Sequence, residues 1–167
     1  MSLLLTGTDA RVDETKSVPI LIVRMGEVRS AFLLDAVVQV FDAVDVGEFP
    51  EVPPKDVLGA INVRGLKVPL VDVRRRWGQE CGKVSLSNQL VLVVCDGINL
   101  CVIVDEVIGT RNVPISKIVR LKDILPESSP HMAVADLEGI LILLDADKLF
   151  ETDQLEEMIV WVETVIG

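Results

Sequence analysis

The sequence offers few residues for chemistry. Histidine occurs once, at His131, and there are three cysteines, Cys81, Cys95 and Cys101, with no C-x-x-C pair. A structural zinc site draws on four closely spaced ligands, so no metal is expected. No glycine-rich phosphate loop of either common type is present, and no G-x-S-x-G nucleophile elbow. His131, beside Pro130, has no serine or cysteine at a motif spacing and reads as a surface-loop residue. The carboxylates fall mostly at turns and short-helix starts, as at Asp72 and Asp145, where capping accounts for them. The expectation is a chain with no catalytic residues and no cofactor.

Long apolar runs are also missing. Leu90 to Cys95 and Ile140 to Leu144 are far short of the roughly 18 residues that cross a bilayer. Met1 to Leu5 has neither a basic flank nor a cleavage site, so it is not a signal peptide. A soluble cytoplasmic protein is expected, with Cys95 and Cys101 as buried reduced thiols. Cations are scarce: 16 Lys and Arg against 26 Asp and Glu give a net charge of −10. That balance disfavours nucleic acid and anionic lipid. The basic residues that do occur cluster locally, at Arg64, Lys67, Arg74, Arg75, Arg76 and Lys83.

What the chain has is apolarity, at 50% of residues with only 4% aromatic. Val, Ile and Leu dominate it, which favours strands. Residues 1–17 read as a flexible tail, 18–150 as the folded body and 151–167 as a helix. Hairpins are signalled at Pro19–Met25 with Val28–Phe32, turning at Gly26-Glu27, and at Leu90–Cys95 with Leu100–Val104, turning at Asp96-Gly97. Two more are expected around Arg64-Gly65 and Glu138-Gly139. Pro69 marks an edge strand or a bulge. Asp72–Trp77 reads as a short capped helix ending at Gly78, and Pro114–Pro130 as loop. Thr152–Val165 carries Leu155, Met158, Ile159, Val162 and Ile166 at helical spacing. Thr152 or Asp153 would cap it, with Glu156 placed for a capping box.

The chain also repeats itself weakly. A shift of 70 lays residues 33–38 over 103–108, and a shift of 73 or 74 lays Gly65, Asp72 and Trp77 over Gly139, Asp145 and Phe150. Each half reads hairpin, helical turn, strand, loop, hairpin, short helix. Two small β-barrels sharing a core are the expected architecture, since closure removes sheet edges.

The most informative stretch runs from Val57 to Gly78. Gly59, Asn62, Arg64, Gly65, Pro69, Asp72, Arg74 and Gly78 match the signature of the CheW family, which the chain resembles over about residues 18–150. Val63 and Val73 replace the family's leucines conservatively, and Trp77 replaces another. The resemblance implies a mainly β fold of two SH3-like five-stranded barrels with a C-terminal helix. It implies an adaptor and no enzyme: a protein that couples the cytoplasmic tips of methyl-accepting chemoreceptors to the regulatory domain of the histidine kinase CheA. Such a protein is cytoplasmic, is recruited to membrane arrays by its partners, and is expected to be a monomer in isolation. Met1 and the terminal helix fit a stand-alone member. An adaptor of a twitching, gliding or other non-flagellar pathway is the alternative, and a small β-barrel enzyme a more distant one. The family's receptor site, a groove between the barrels, maps to Arg64, Val37, Gln39 and Asn62, with Gln39 in place of a common acidic residue. Gly59, Gly65, Pro69, Asp72 and Gly139 map to structural turns.

Overall fold

A computed structural model describes residues 16–43, 52–74, 85–120, 132–136 and 139–166. Residues 1–15 of the expected tail, residues 75–77 of the expected short helix, Cys81 and His131 lie outside these, whereas Ser17, at the end of the expected tail, already opens a strand. Among the described residues eleven strands form: β1 (Ser17–Met25), β2 (Val28–Leu33), β3 (Val37–Asp42), β4 (Val57–Val63), β5 (Leu66–Val71), β6 (Gln89–Cys95), β7 (Ile98–Val104), β8 (Glu106–Pro114), β9 (Ile118–Arg120), β10 (Met132–Asp136) and β11 (Gly139–Leu144). One α-helix among them, α1 (Thr152–Ile166), follows.

The strands form two sheets, ordered β8-β1-β2-β11-β10-β9 and β3-β6-β7-β5-β4. Each sheet mixes the two halves of the chain. The central hairpin of the first comes from the N-terminal half, and its flanking strands come from the C-terminal half. The second sheet reverses this. The register shows the relation residue by residue. Ile22 and Val23 face Gly109 and Val107, leaving Ile108 as a bulge. Seventy residues on, Leu92 and Val93 face Gln39 and Val37, leaving Val38 as a bulge. The parallel pair Leu143↔Ala31 likewise matches Leu70↔Cys101. For the outer hairpins the offset is 73, since Val63↔Leu66 answers Asp136↔Gly139. The first sheet exceeds the expected five strands because β9, in a stretch expected to be loop, adds to β10.

Alternation along the central strands explains why they look uniformly apolar. Ile20 and Ile22 of β1 fill the first barrel, with Leu33, Leu141 and Leu143. Leu90 and Leu92 of β6 fill the second, with Val68, Leu70 and Ile103. The intervening residues, among them Leu21, Val23, Val91, Val93, Val102 and Leu144, meet in a third cluster shared by both sheets. Strands buried on both faces read as continuous hydrophobic runs.

Helix α1 closes the shared cluster with Leu155, Met158, Trp161 and Val162. Ile159, expected in that stripe, is only half-buried, and Trp161 takes the inward place instead. The cap also sits one turn-start earlier than expected. Leu155 donates its amide to the Glu151 carbonyl at 3.0 Å, and the Gln154 side chain reaches back to the Glu151 amide at 2.9 Å. Gln154 therefore supplies the reciprocal half of a capping box. Pro69 lies on an internal strand, not an edge. Its missing amide is tolerated because the ladder to β7 begins only at Leu70, and the nearby bulge is on β4 at Leu58.

Cys95 and Cys101 are both free and buried, but they point to opposite faces of the second sheet: Cys95 into the shared cluster, Cys101 into the barrel. Burial pushes the Cys101 thiol from 9.0 up to about 12. The native state thus holds this proton where the unfolded chain releases it. Its contribution to stability is complete below pH 9 and is lost as pH rises toward 12. In a Cys81→Ser background, a thiol reagent at pH 8 should react only as fast as the protein opens. Denaturant midpoints should fall steadily as pH rises from 9.0 toward 12. Rapid native-state labelling would contradict the burial of both thiols.

Candidate functional site

The second sheet is open at one seam, where its two edge strands β3 and β4 face each other. Gln39 and Phe41 from β3 and Ala60, Ile61, Asn62, Val63 and Arg64 from β4 and its turn line a cleft of about 430 Å³ there. Ala60 and Ile61 are buried and Phe41 is half-buried, so the floor is apolar. Gln39, Asn62 and Arg64 provide the polar rim. Arg64 carries the only charge among the lining residues, which suits it to carboxylates or carbonyl oxygens. Its described lining combines an apolar floor with the amides of Gln39 and Asn62 and the guanidinium of Arg64.

Of the residues mapped to binding, the fold brings Gln39, Asn62 and Arg64 together and separates Val37. The bulge at Val38 breaks the alternation of β3, so Val37 turns onto the shared cluster. Phe41 and Val63 were not anticipated. Two-residue spacing from Gln39 was the available signal for Phe41. The lining residues all belong to the five-stranded sheet, so this cleft is the seam of one barrel and not a groove between two.

Arg64 has an unusual backbone. Both Arg64 (φ 54) and Gly65 (φ 85) are left-handed, as a type I′ hairpin turn demands. The two-residue turn of the β6–β7 hairpin, Asp96 (φ 49) and Gly97 (φ 81), uses aspartate at the same place, which tolerates this region far better than arginine. Asn62 locks the Arg64 turn: its Oδ1 accepts the Gly65 amide at 2.7 Å. Asn62 is thus a structural residue of the turn as well as part of the rim. The Arg64 side chain is exposed and makes no ion pair among the described residues.

The other signature residues serve the frame. Gly59 lies inside β4, beside the Leu58 bulge, and not in a turn. Gly139 opens β11 with a positive φ of 121. Asp72 and Arg74 are buried, at 1% and 6% exposure, so Arg74 leaves the expected basic surface patch. Arg74 Nε donates to Asp72 Oδ1 at 3.0 Å, and its terminal nitrogens donate to Asp72 Oδ2 at 2.7 Å and Asp105 Oδ1 at 3.0 Å. Asp105 also accepts from the Gly26 amide at 2.5 Å and from Asn88 Nδ2 at 3.4 Å. One charged cluster therefore ties the end of β5, the β1–β2 turn, the β7–β8 junction and the lead into β6. At the related place in the other half stands Asp147, whose Oδ1 accepts the Asp96 amide at 3.0 Å.

Comparison with known proteins agrees with this architecture. The solved structure of the scaffolding protein TtCheW from Thermoanaerobacter tengcongensis superposes with a TM-score of 0.72 at 20% identity, over 83% of this chain and 96% of that one. At that identity the likeness establishes the shared fold. No curated protein matches the sequence. The model of the CheW-like domain family matches residues 19–154. With that match spanning most of its length, the chain belongs to the CheW-like domain family.

Proposed function

We propose that the chain is a chemotaxis scaffold, cytoplasmic and recruited to membrane receptor arrays, that couples receptor cytoplasmic tips to the regulatory domain of the kinase CheA. The observation that carries the reading is the seam cleft, where an apolar floor meets a rim holding an exposed Arg64 that makes no ion pair among the described residues. A left-handed arginine is a poor choice for turn stability alone, and backbone strain of this kind, on the order of 1 kcal/mol, tends to persist where function requires the side chain. Asn62 already secures the turn, which leaves the guanidinium for a partner.

Replacing Arg64 by glutamate should weaken binding of a receptor cytoplasmic fragment by about 2 kcal/mol, with melting temperature and CheA binding unchanged. Arg64→Asn should separate the two demands on the residue. It fits the left-handed turn better, so the protein should gain up to about 1 kcal/mol of stability while receptor binding falls. Titration calorimetry and thermal melts read both effects. Unchanged receptor affinity in both variants would remove Arg64 from the site.

A further inference from the structure

A second groove runs along α1, separate from the seam cleft and sharing only Trp161 with the buried stripe. It encloses about 500 Å³ between the helix and residues 52–54. Trp161 and two prolines, Pro53 and Pro54, line its base. Val52 and Val160 stand in it exposed, at 91% and 62%. Its wall is anionic: Asp153, Glu156 and Glu157 line it, all three exposed.

Among the described residues no cation lines the groove beside these carboxylates. Helix α1 contains no lysine or arginine, and none of the three makes an ion pair among the described residues. Asp153 with Glu156 and with Glu157 are like charges at i,i+3 and i,i+4, which destabilises a helix by a few tenths of a kcal/mol per pair. The first-turn position favours Asp153 through the helix dipole, but the effect fades before Glu156 and Glu157. An exposed apolar strip beside these carboxylates is complementary to one kind of surface, an apolar strip flanked by cations.

We propose that this groove docks a cationic amphipathic helix of a partner protein, lying alongside α1. The lining positions from Asp153 to Thr164 span about 16 Å at 1.5 Å per residue, or three turns. Apolar side chains of the incoming helix would cover Val52 and Val160. Lysines or arginines on its flank would meet Asp153, Glu156 and Glu157. This interface is distinct from the seam cleft and does not depend on what that cleft binds.

The test titrates the full chain with a synthetic amphipathic helix of leucine and lysine, and with a scrambled peptide of the same composition. Nuclear magnetic resonance shifts at Val160 and Trp161 report the groove. Saturable binding of the ordered peptide is expected, with shifts centred there. The double variant Glu156→Lys/Glu157→Lys and the single variant Val160→Ser should each weaken it about tenfold or more, with melting temperature unchanged. The milder Glu156→Gln/Glu157→Gln pair guards against charge-reversal effects on the helix and should weaken binding in the same direction. Equal binding of the scrambled peptide, or no loss in the variants, overturns the proposal. So does a self-associating chain whose dimer dissolves in Val160→Ser, since the occupant would then be a second copy.

Discussion

Replacing Arg74 by alanine should destabilise the protein by about 3–5 kcal/mol, the usual result of removing one partner from a buried ion pair. The reason is what remains. Asp72, almost wholly buried, loses the donor that holds both of its oxygens, and Asp105 loses the cation that offsets it. Two carboxylates then face each other with only amide donors between them. With total stability expected at roughly 5–15 kcal/mol, much of the folded population is at risk. Asp105→Asn should cost less, because an amide oxygen can still accept from the Gly26 amide and Arg74 keeps Asp72. A denaturation series of Arg74→Ala, Asp105→Asn and wild type checks the order. An Arg74→Ala variant within 1 kcal/mol of wild type (~the value of an exposed pair) would mean the cluster behaves like a surface salt bridge.

Truncation after Glu151 should abolish cooperative folding. The helix contributes Leu155, Met158, Trp161 and Val162 to the cluster on which both sheets meet. Each buried side chain of this size is worth about 1.5–3 kcal/mol before ordering entropy. The loss also exposes the neighbours they cover. Met158→Ala, a milder change, should cost about 2–5 kcal/mol and leave a folded protein whose melting temperature reports the docking. A truncated chain that melts as wild type does would show that α1 is an accessory.

Strand positions were largely legible because each is a short β-branched run bounded by Gly, Asp or Pro. The repeat was legible too, although the exchange of hairpins between halves was not: pairing partners such as Ala31 and Leu143 leave no local trace. Trp161 was overlooked because an idealised stripe through Leu155 and Val162 passes to its side, while the shared cluster is wide enough to hold it. At the cleft, Arg64, Asn62 and Gln39 were reachable through the family signature. Val37 lies apart from the cleft because one bulged residue inverts every side chain before it relative to those after. The role of Arg74 was hidden for a related reason. Its composition-level neighbours are basic, and only the fold supplies Asp105 from 31 positions away.

The exchange of hairpins sets the order in which the chain can be assembled during synthesis. The β1–β2 hairpin emerges first, yet its parallel partner β11 is among the last strands made. Until then Ile20 and Ile22 lack Leu141 and Leu143, which complete their cluster, and Leu21 and Val23 lack Val91, Val93 and Leu100 of the C-terminal half. Each half leaves its clusters incomplete until the other is made. The final structure must form in one late, concerted step dominated by distant contacts, which makes for slow folding and a vulnerable nascent chain.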